Sequence, residues 1–76
     1  MKELLTYIAQ NLVEHPADVS VTERQGDGET ILELRVASDD MGKVIGRQGR
    51  IAKHIRAVVR AMAQKQGTRV SVEIVD

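Results

Sequence analysis

Aromatic residues are almost absent from this 76-residue sequence, which contains no Phe, no Trp and a single Tyr, Tyr7. Nucleic-acid-binding modules that stack bases on exposed rings, such as the sheet of an RRM or the platform of an OB fold, depend on several such residues. The composition therefore argues against those modules. If the chain binds nucleic acid, it must use backbone groups, cations and aliphatic side chains.

Cysteine is absent, which excludes a disulfide framework and a thiolate metal site. His15 and His54 lie 39 positions apart and lack metal-ligand spacing, and Asp39-Asp40 fits the start of a helix better than a metal pair. No nucleophile stands beside a base and an orienting group. The sequence therefore predicts no metal, no cofactor, no small-molecule substrate and no catalytic activity.

Long apolar runs are also lacking. The first 15 residues include Glu3 and Glu14, a pattern that fits neither a signal peptide nor a membrane span. A chain of 76 residues is long enough for one small domain, which we place at residues 1–76. We therefore expect a cytoplasmic domain without membrane contact.

The net charge is zero, but the charges are unevenly distributed along the chain. Residues 1–40 hold three cations and nine acids, whereas residues 41–76 hold eight cations and two acids. No acidic residue lies between Asp40 and Glu73. This separation suggests a face suited to an anion, although an ordinary solvated basic helix explains it equally well.

Hydrophobic spacing predicts an α+β fold with the element order α-β-β-α-α-β. The last strand follows a helical crossover, so parallel pairing in a three-stranded mixed sheet packed against three helices is the economical arrangement. Ser38 is the expected cap of the short helix, and Gly67 is the expected end of the long one. The predicted elements are a helix over 2–14, strands over 19–25 and 30–37, a short helix from 38, a long helix over 50–66 and a strand over 69–75.

Residues 42–51 read GKVIGRQGRI, and within them Gly46–Gly49 forms a GxxG turn between the two later helices. Glycine lets a ligand backbone approach closely, and we expect the first amides of the following helix to be unpaired, as anion sites require. Arg47 and Gln48 lie at the tip, where they can donate hydrogen bonds to phosphate or sugar oxygens. The surrounding cations are Lys43, Arg50 and Lys53. A bare GxxG is weak evidence, because a tight corner between helices also needs glycine.

The stretch VIGRQGRI, placed after two strands and between two helices, resembles the signature of a KH domain. The element order matches the type II, bacterial arrangement, and the whole chain resembles the small stand-alone bacterial KH proteins of the KhpA type. The resemblance implies a clamp on single-stranded RNA, in which the turn holds the backbone of about four nucleotides. It also implies a shallow aliphatic groove for the bases, for which the candidates are Val44, Ile45, Ala52 and the strand Leu32-Leu34-Val36.

Ala52 departs from the general pattern, since many KH domains carry a large aliphatic residue there. Ile51 and Ile55 are expected in the core, and Arg56 and Arg60 on the plain surface of the long helix. The resemblance further implies a larger Jag-type KH partner and a role in RNA regulation or chaperoning linked to cell elongation.

Two alternatives to an RNA clamp remain open. The first is a protein-interaction module with little intrinsic RNA binding, for example a homodimer packed through Ala57 and Ala61. The second is binding of single-stranded DNA, because contacts to the backbone alone do not sense the 2′-hydroxyl well.

Overall fold

A three-stranded sheet with helices packed on one face forms the framework of the structure, a computed structural model in which residues 1–75 are described. The predicted α+β class and the order α-β-β-α-α-β are confirmed. Short 3₁₀ turns lie at Pro16–Asp18, Ser38–Asp40 and Arg47–Gly49. The principal elements are α1 (Lys2–Gln10), β1 (Ser20–Gln25), β2 (Thr30–Arg35), α2 (Met41–Ile45), α3 (Arg50–Lys65) and β3 (Val70–Val75).

The strands lie in the order β1-β2-β3, with β1 antiparallel and β3 parallel to the central strand β2. Register places Val21 opposite Leu34 and Leu32 opposite Val72, so these side chains share one face of the sheet. The chain reaches β3 through α2 and α3, as a parallel connection requires. Because β3 pairs with β2 alone, it is an edge strand of the sheet.

The core lies between this face and helices α1 and α3. Leu5 and Ala9 from α1 and Ile55 and Val59 from α3 are buried against the strand residues. The prediction that Ile55 is a core residue is confirmed, and Ile51 is partly buried against the same cluster. Burying a residue of this size stabilises the fold by about 1.5–3 kcal/mol, so this face sets the position of α3.

Two predicted helix boundaries were wrong. Helix α1 ends at Gln10 instead of residue 14, and the side-chain amide of Asn11 donates to the Tyr7 carbonyl at 2.8 Å. Ser38 opens a 3₁₀ turn but makes no side-chain capping bond. The end of α3 is as expected, since Gly67 and Thr68 donate to the carbonyls of Gln64 and Ala63 in a Schellman arrangement.

None of the helices within residues 1–75 has the length and apolar character needed to cross a membrane.

Candidate nucleic-acid interface

The GxxG turn joins α2 to α3, as the sequence predicts. The amide of Gly46 donates to the Gly42 carbonyl at 2.9 Å and closes α2. The amide of Gly49 then donates to the Gly46 carbonyl at 3.1 Å, and α3 begins at Arg50. The turn is thus a corner held by backbone hydrogen bonds between two helices.

The two glycines of the turn have different surroundings. Gly46 adopts φ 76° and ψ 173°, and a Cβ atom added there would lie 2.6 Å from Cγ1 of Ile51. Gly49 is left-handed at φ 74° and ψ 16°, and a Cβ atom there would meet nothing within 4 Å. Gly46 is required by packing inside the protein, whereas the backbone at Gly49 faces open space that a ligand can enter.

Gln48 stands at the tip with φ 59° and ψ 25°, and is the one non-glycine residue with positive φ within the described part of the chain. A left-handed conformation costs a residue with a Cβ atom about 1–2 kcal/mol. Its side-chain oxygen accepts a hydrogen bond from Nη2 of Arg50 at 3.3 Å. Strain of this kind is concentrated at binding sites, which makes Gln48 a candidate contact residue.

The cations around the turn are exposed and available to an anion. The ion pairs found among residues 1–75 both belong to Arg24, which contacts Glu33 at 3.1 Å and Glu73 at 3.3 Å on the sheet. The guanidinium and ammonium groups near the turn therefore lack an acidic partner in the described chain. They are Lys43, Arg47, Arg50 and Lys53.

The amides at the start of α3 are less available than expected. Gly49 donates to Gly46, and Arg50 donates to the Arg47 carbonyl, because the turn is wound as a 3₁₀ helix. Side chains do not cap this helix end. The exposed side chains of Arg47 and Gln48 are therefore candidate donors alongside the remaining amides of this helix end.

A cleft of about 400 Å³ leads away from the turn along α3. We call it the proximal cleft. Its lining includes Gly49, Lys53 and Ala57, and also Arg56 and Arg60. From the sequence alone, Arg56 and Arg60 are expected on the plain surface of the long helix. Counting three and four residues along a helix from Gly49 would have found them, because such positions share one face.

Arg56 also joins the helix to the sheet. Its Nε donates to the carbonyl oxygen of Val72 on the edge strand β3 at 3.1 Å. This bond holds the arginine across the boundary between α3 and β3, where its side chain forms part of the wall of the proximal cleft.

Most of the aliphatic side chains proposed for the groove floor are covered. Val44, Leu32 and Leu34 are fully buried, and Ala52 is 4% exposed. We therefore assign them to internal packing and not to the contact surface. Ile45, 36% exposed, is the member of that set whose side chain is most accessible to a ligand, and Val36 is partly buried against the core.

Asp40 has a role that sequence reasoning missed. The residue is buried, and its two carboxylate oxygens accept the backbone amides of Glu14 at 3.1 Å and His15 at 3.0 Å. Burial alone raises the pKa of Asp40, but these hydrogen bonds and the positive charges of His15 and Lys43 outweigh it, so the pKa lies below its ordinary value of 3.8. Asp40 thereby ties the start of α2 to the segment after α1.

Among residues 1–75, no three His, Cys, Asp or Glu side chains are placed together so as to hold a metal ion.

An α-β-β-α-α-β domain with a GxxG turn between its second and third helices is a KH domain of type II. The sequence profile described as "KhpA/KhpB, KH domain" matches residues 2–74. The chain therefore belongs to the KhpA/KhpB family of KH domains, which is non-catalytic.

Curated relatives extend over the full length. The protein named RNA-binding protein KhpA of Clostridium acetobutylicum is 57% identical over 75 residues, covering 99% of this chain and 100% of the relative. That of Treponema pallidum, with the same name, is 51% identical, covering 99% and 94%.

Among solved structures, Era in complex with MgGDPNP and nucleotides 1506–1542 of 16S ribosomal RNA matches with a TM-score of 0.67 and 22% identity. The match covers 96% of this chain but only 28% of the Era chain. It supports the fold alone.

Proposed function

We propose that residues 1–76 act as one KH unit that binds single-stranded RNA, with the Gly46–Gly49 turn gripping the sugar-phosphate backbone. The observation that carries the proposal is the turn itself, where an open glycine backbone and a strained Gln48 lie among unpaired cations. Relatives named RNA-binding protein KhpA add support.

Each group at the turn has a separate part in this proposal. Arg47 and Gln48 donate hydrogen bonds to phosphate or sugar oxygens of about four nucleotides. The ammonium and guanidinium groups of Lys43, Arg50 and Lys53 raise the local concentration of the anionic strand. Bases enter the proximal cleft, where Ala57 leaves room beside the arginine stems, while Ile45 gives an apolar contact and Val44 supports α2 from beneath.

Salt dependence is a direct consequence of phosphate contacts. With three to five cations neutralising phosphates, the slope of log affinity against log salt for a single strand is roughly −2 to −3.5. We expect micromolar affinity near physiological salt, because a single small domain makes few contacts.

The test is replacement of the tip, Arg47→Asp with Gln48→Asp. We expect binding of a fluorescein-labelled octaribonucleotide to weaken more than tenfold, while the circular dichroism spectrum is retained. Lys2→Asp with Gln10→Asp is the matched control, since it makes the same charge change at exposed positions on α1. Equal affinity of the tip variant and the control would refute the proposal.

The distinction between RNA and DNA is tested with matched strands. We propose that the 2′-hydroxyl contributes, because a hydroxyl can both donate to and accept from the polar tip. Octaribouridylate should bind more tightly than octadeoxyuridylate of the same sequence. Equal affinity would assign the clamp to single strands in general.

A second candidate function is protein interaction through the other flank of α3. Val58 and Met62 are 47% and 42% exposed, although side chains of this size usually pack in a core. Ala57, one of the two alanines first considered for such a contact, instead lines the proximal cleft. We propose that Val58 and Met62 serve a homodimer or a contact with a larger KH protein.

Sedimentation separates the two functions. If Met62→Glu converts a dimer to a monomer and leaves RNA affinity unchanged, the two surfaces are independent. A wild-type monomer at micromolar concentration would remove the homodimer proposal.

We also propose a cytoplasmic location and a role in RNA regulation or chaperoning linked to cell elongation with a Jag-type partner, and the name RNA-binding protein KhpA of the relatives supports the RNA part of this role. Cross-linking in cells with sequencing of bound RNA, beside the Arg47→Asp/Gln48→Asp variant, tests this role. RNA recovered equally with both proteins would contradict it.

A further inference from the structure

A second cleft of about 360 Å³ lies at the opposite end of α3 from the GxxG turn, and we call it the distal cleft. Its volume is within the range of ligand pockets, about 300–1,000 Å³. Residues of α3, of the loop after it and of the start of β3 line this cleft, together with Glu29, the residue before β2. None of the residues that line the distal cleft belongs to the GxxG turn.

Arg60 lines both clefts, so the distal cleft continues the proximal one. Arg60 lies eleven positions after Gly49, which corresponds to a rise of about 16 Å along the helix. A strand gripped at the turn and running along α3 therefore reaches the distal cleft beyond the nucleotides held at the turn. Arg60 and Arg69, which both line the distal cleft, can attract its phosphates.

Glu29 is the one carboxylate among the residues that line the distal cleft. Its Oε1 accepts a hydrogen bond from the hydroxyl of Ser71 at 2.9 Å, which orients the group. Neither Arg60 nor Arg69 forms an ion pair with it among the described residues, where the ion pairs belong to Arg24. An oriented carboxylate with a free acceptor capacity therefore faces a cleft on the path of the strand.

The wall around Glu29 is fixed by other hydrogen bonds. The amide of Thr30 donates to the Arg69 carbonyl at 2.9 Å, and the amide of Gly26 donates to the Glu29 carbonyl at 2.8 Å. The Schellman end of α3 holds Thr68 by its amide, at 2.9 Å from the Ala63 carbonyl. Little ordering is therefore needed when a base enters, which favours selectivity.

We infer that the distal cleft is a base-reading subsite in which Glu29 selects a base that carries an exocyclic amino group and rejects uracil. An ionised carboxylate only accepts hydrogen bonds. Cytosine, adenine and guanine each offer it an amino donor, whereas uracil places carbonyl oxygens on both sides of its single N–H. This inference rests on the proposed RNA binding and adds the class of base that a position outside the turn prefers.

Cytosine and uracil make the sharpest probe, because they share one ring and differ at the amino group. The probes are octauridylate and its variants with a single cytidine at each successive position, measured by fluorescence anisotropy. At one position cytidine should bind about tenfold more tightly than uridine, as one hydrogen bond to a charged acceptor allows. If the wild-type protein binds cytidine and uridine equally at every position, the inference is overturned before any variant is made.

Glu29→Gln should reduce that ratio nearly to one, because a glutamine amide can turn to serve either base. Its loss of negative charge should also tighten binding of octauridylate, so the ratio of the cytidine affinity to the uridine affinity is the readout. Glu14→Gln, which removes an exposed carboxylate outside both clefts, should keep the tenfold ratio. A ratio unchanged in Glu29→Gln would refute the role of Glu29.

The two proposals fail in distinguishable ways. If the wild-type protein binds none of the oligonucleotides, the RNA-binding proposal fails and takes the base-reading subsite with it. If binding depends on Arg47 and Gln48 but ignores cytidine and Glu29, the clamp stands and the subsite alone is wrong.

Discussion

The two ends of helix α2 are built in opposite ways. At its start, Asp40 is buried and both carboxylate oxygens are bonded to backbone amides of the segment after α1. At its end, Arg47 and Gln48 are exposed, and Gln48 is held in a strained conformation. Polar groups at the first end satisfy one another inside the protein, whereas those at the second end face solvent.

Helix α2 is only five residues long, yet one end carries residues that the fold needs and the other carries residues that a ligand needs. The same division holds inside the GxxG turn. Gly46 is closed in by Ile51, and Gly49 is open. Changes at the closed positions should therefore alter stability, and changes at the open positions should alter binding.

The largest expected effect on stability is that of Gly46→Ala. The new methyl group would lie 2.6 Å from Cγ1 of Ile51, and the conformation at φ 76° and ψ 173° is one that almost only glycine adopts. We expect a loss of about 3 kcal/mol or more, out of a total of roughly 4–11 kcal/mol for a chain of this length. Urea unfolding monitored by circular dichroism measures it.

Gly49→Ala is the matched control for that experiment. The φ of Gly49 is also positive, but its left-handed conformation is one that alanine can adopt and the added methyl group meets nothing, so the expected cost is about 1 kcal/mol. Equal losses for the two variants would contradict the division of the turn into a closed and an open glycine.

Asp40→Asn should have the next largest effect. Asparagine can accept one of the two amide hydrogen bonds, but its own NH₂ group then faces the other amide and leaves a donor unpaired. We expect the melting temperature to fall by roughly 5 °C or more. Asp39→Asn, at the exposed neighbouring position, is the control and should leave the melting temperature nearly unchanged.

A smaller effect is expected from acid. The pKa of Asp40 is lower in the folded chain than its ordinary value of 3.8, so the ionised carboxylate stabilises the fold. This contribution is fully present above the ordinary value and is lost as the pH falls from there through the lower pKa of the folded state. The melting temperatures of wild type and Asp40→Asn should therefore converge below pH 3.8. If the difference between the two melting temperatures stayed constant down to pH 2.5, the stabilising role of the ionised Asp40 carboxylate would be contradicted.

The helices and strands whose positions depend on neighbouring residues in the chain could be predicted from the sequence. The alternation of Leu32 and Leu34, the helical spacing of Ile55 and Val59 and the terminal Gly67 all specify their own segments, and each was found as expected. The parallel placement of β3 followed from the helical crossover before it.

The features that escaped prediction depend on contacts between distant residues. Helix α1 ends at Gln10, and the amides of Glu14 and His15 in the following segment donate to the carboxylate of Asp40, 26 and 25 positions away. Spacing along α1 cannot reveal such a partner. In the same way, Arg56 reaches the carbonyl of Val72, and only the folded chain shows that it lines a cleft.

For the candidate site, the sequence indicated the turn and its cations but not which apolar neighbours are accessible. Val44 and Ile45 are adjacent and equally apolar, yet one is fully buried and the other is 36% exposed. The direction in which a five-residue helix faces is decided by its packing against α3, which composition does not encode.

A titration of ¹⁵N-labelled protein with octaribouridylate, followed by NMR, tests the central claim most directly. We expect the amide signals of residues 46–50 to shift progressively, while those of the hairpin strand Ser20–Gln25 stay in place. A spectrum that remains well dispersed while the signals of residues 46–50 do not move would contradict the clamp.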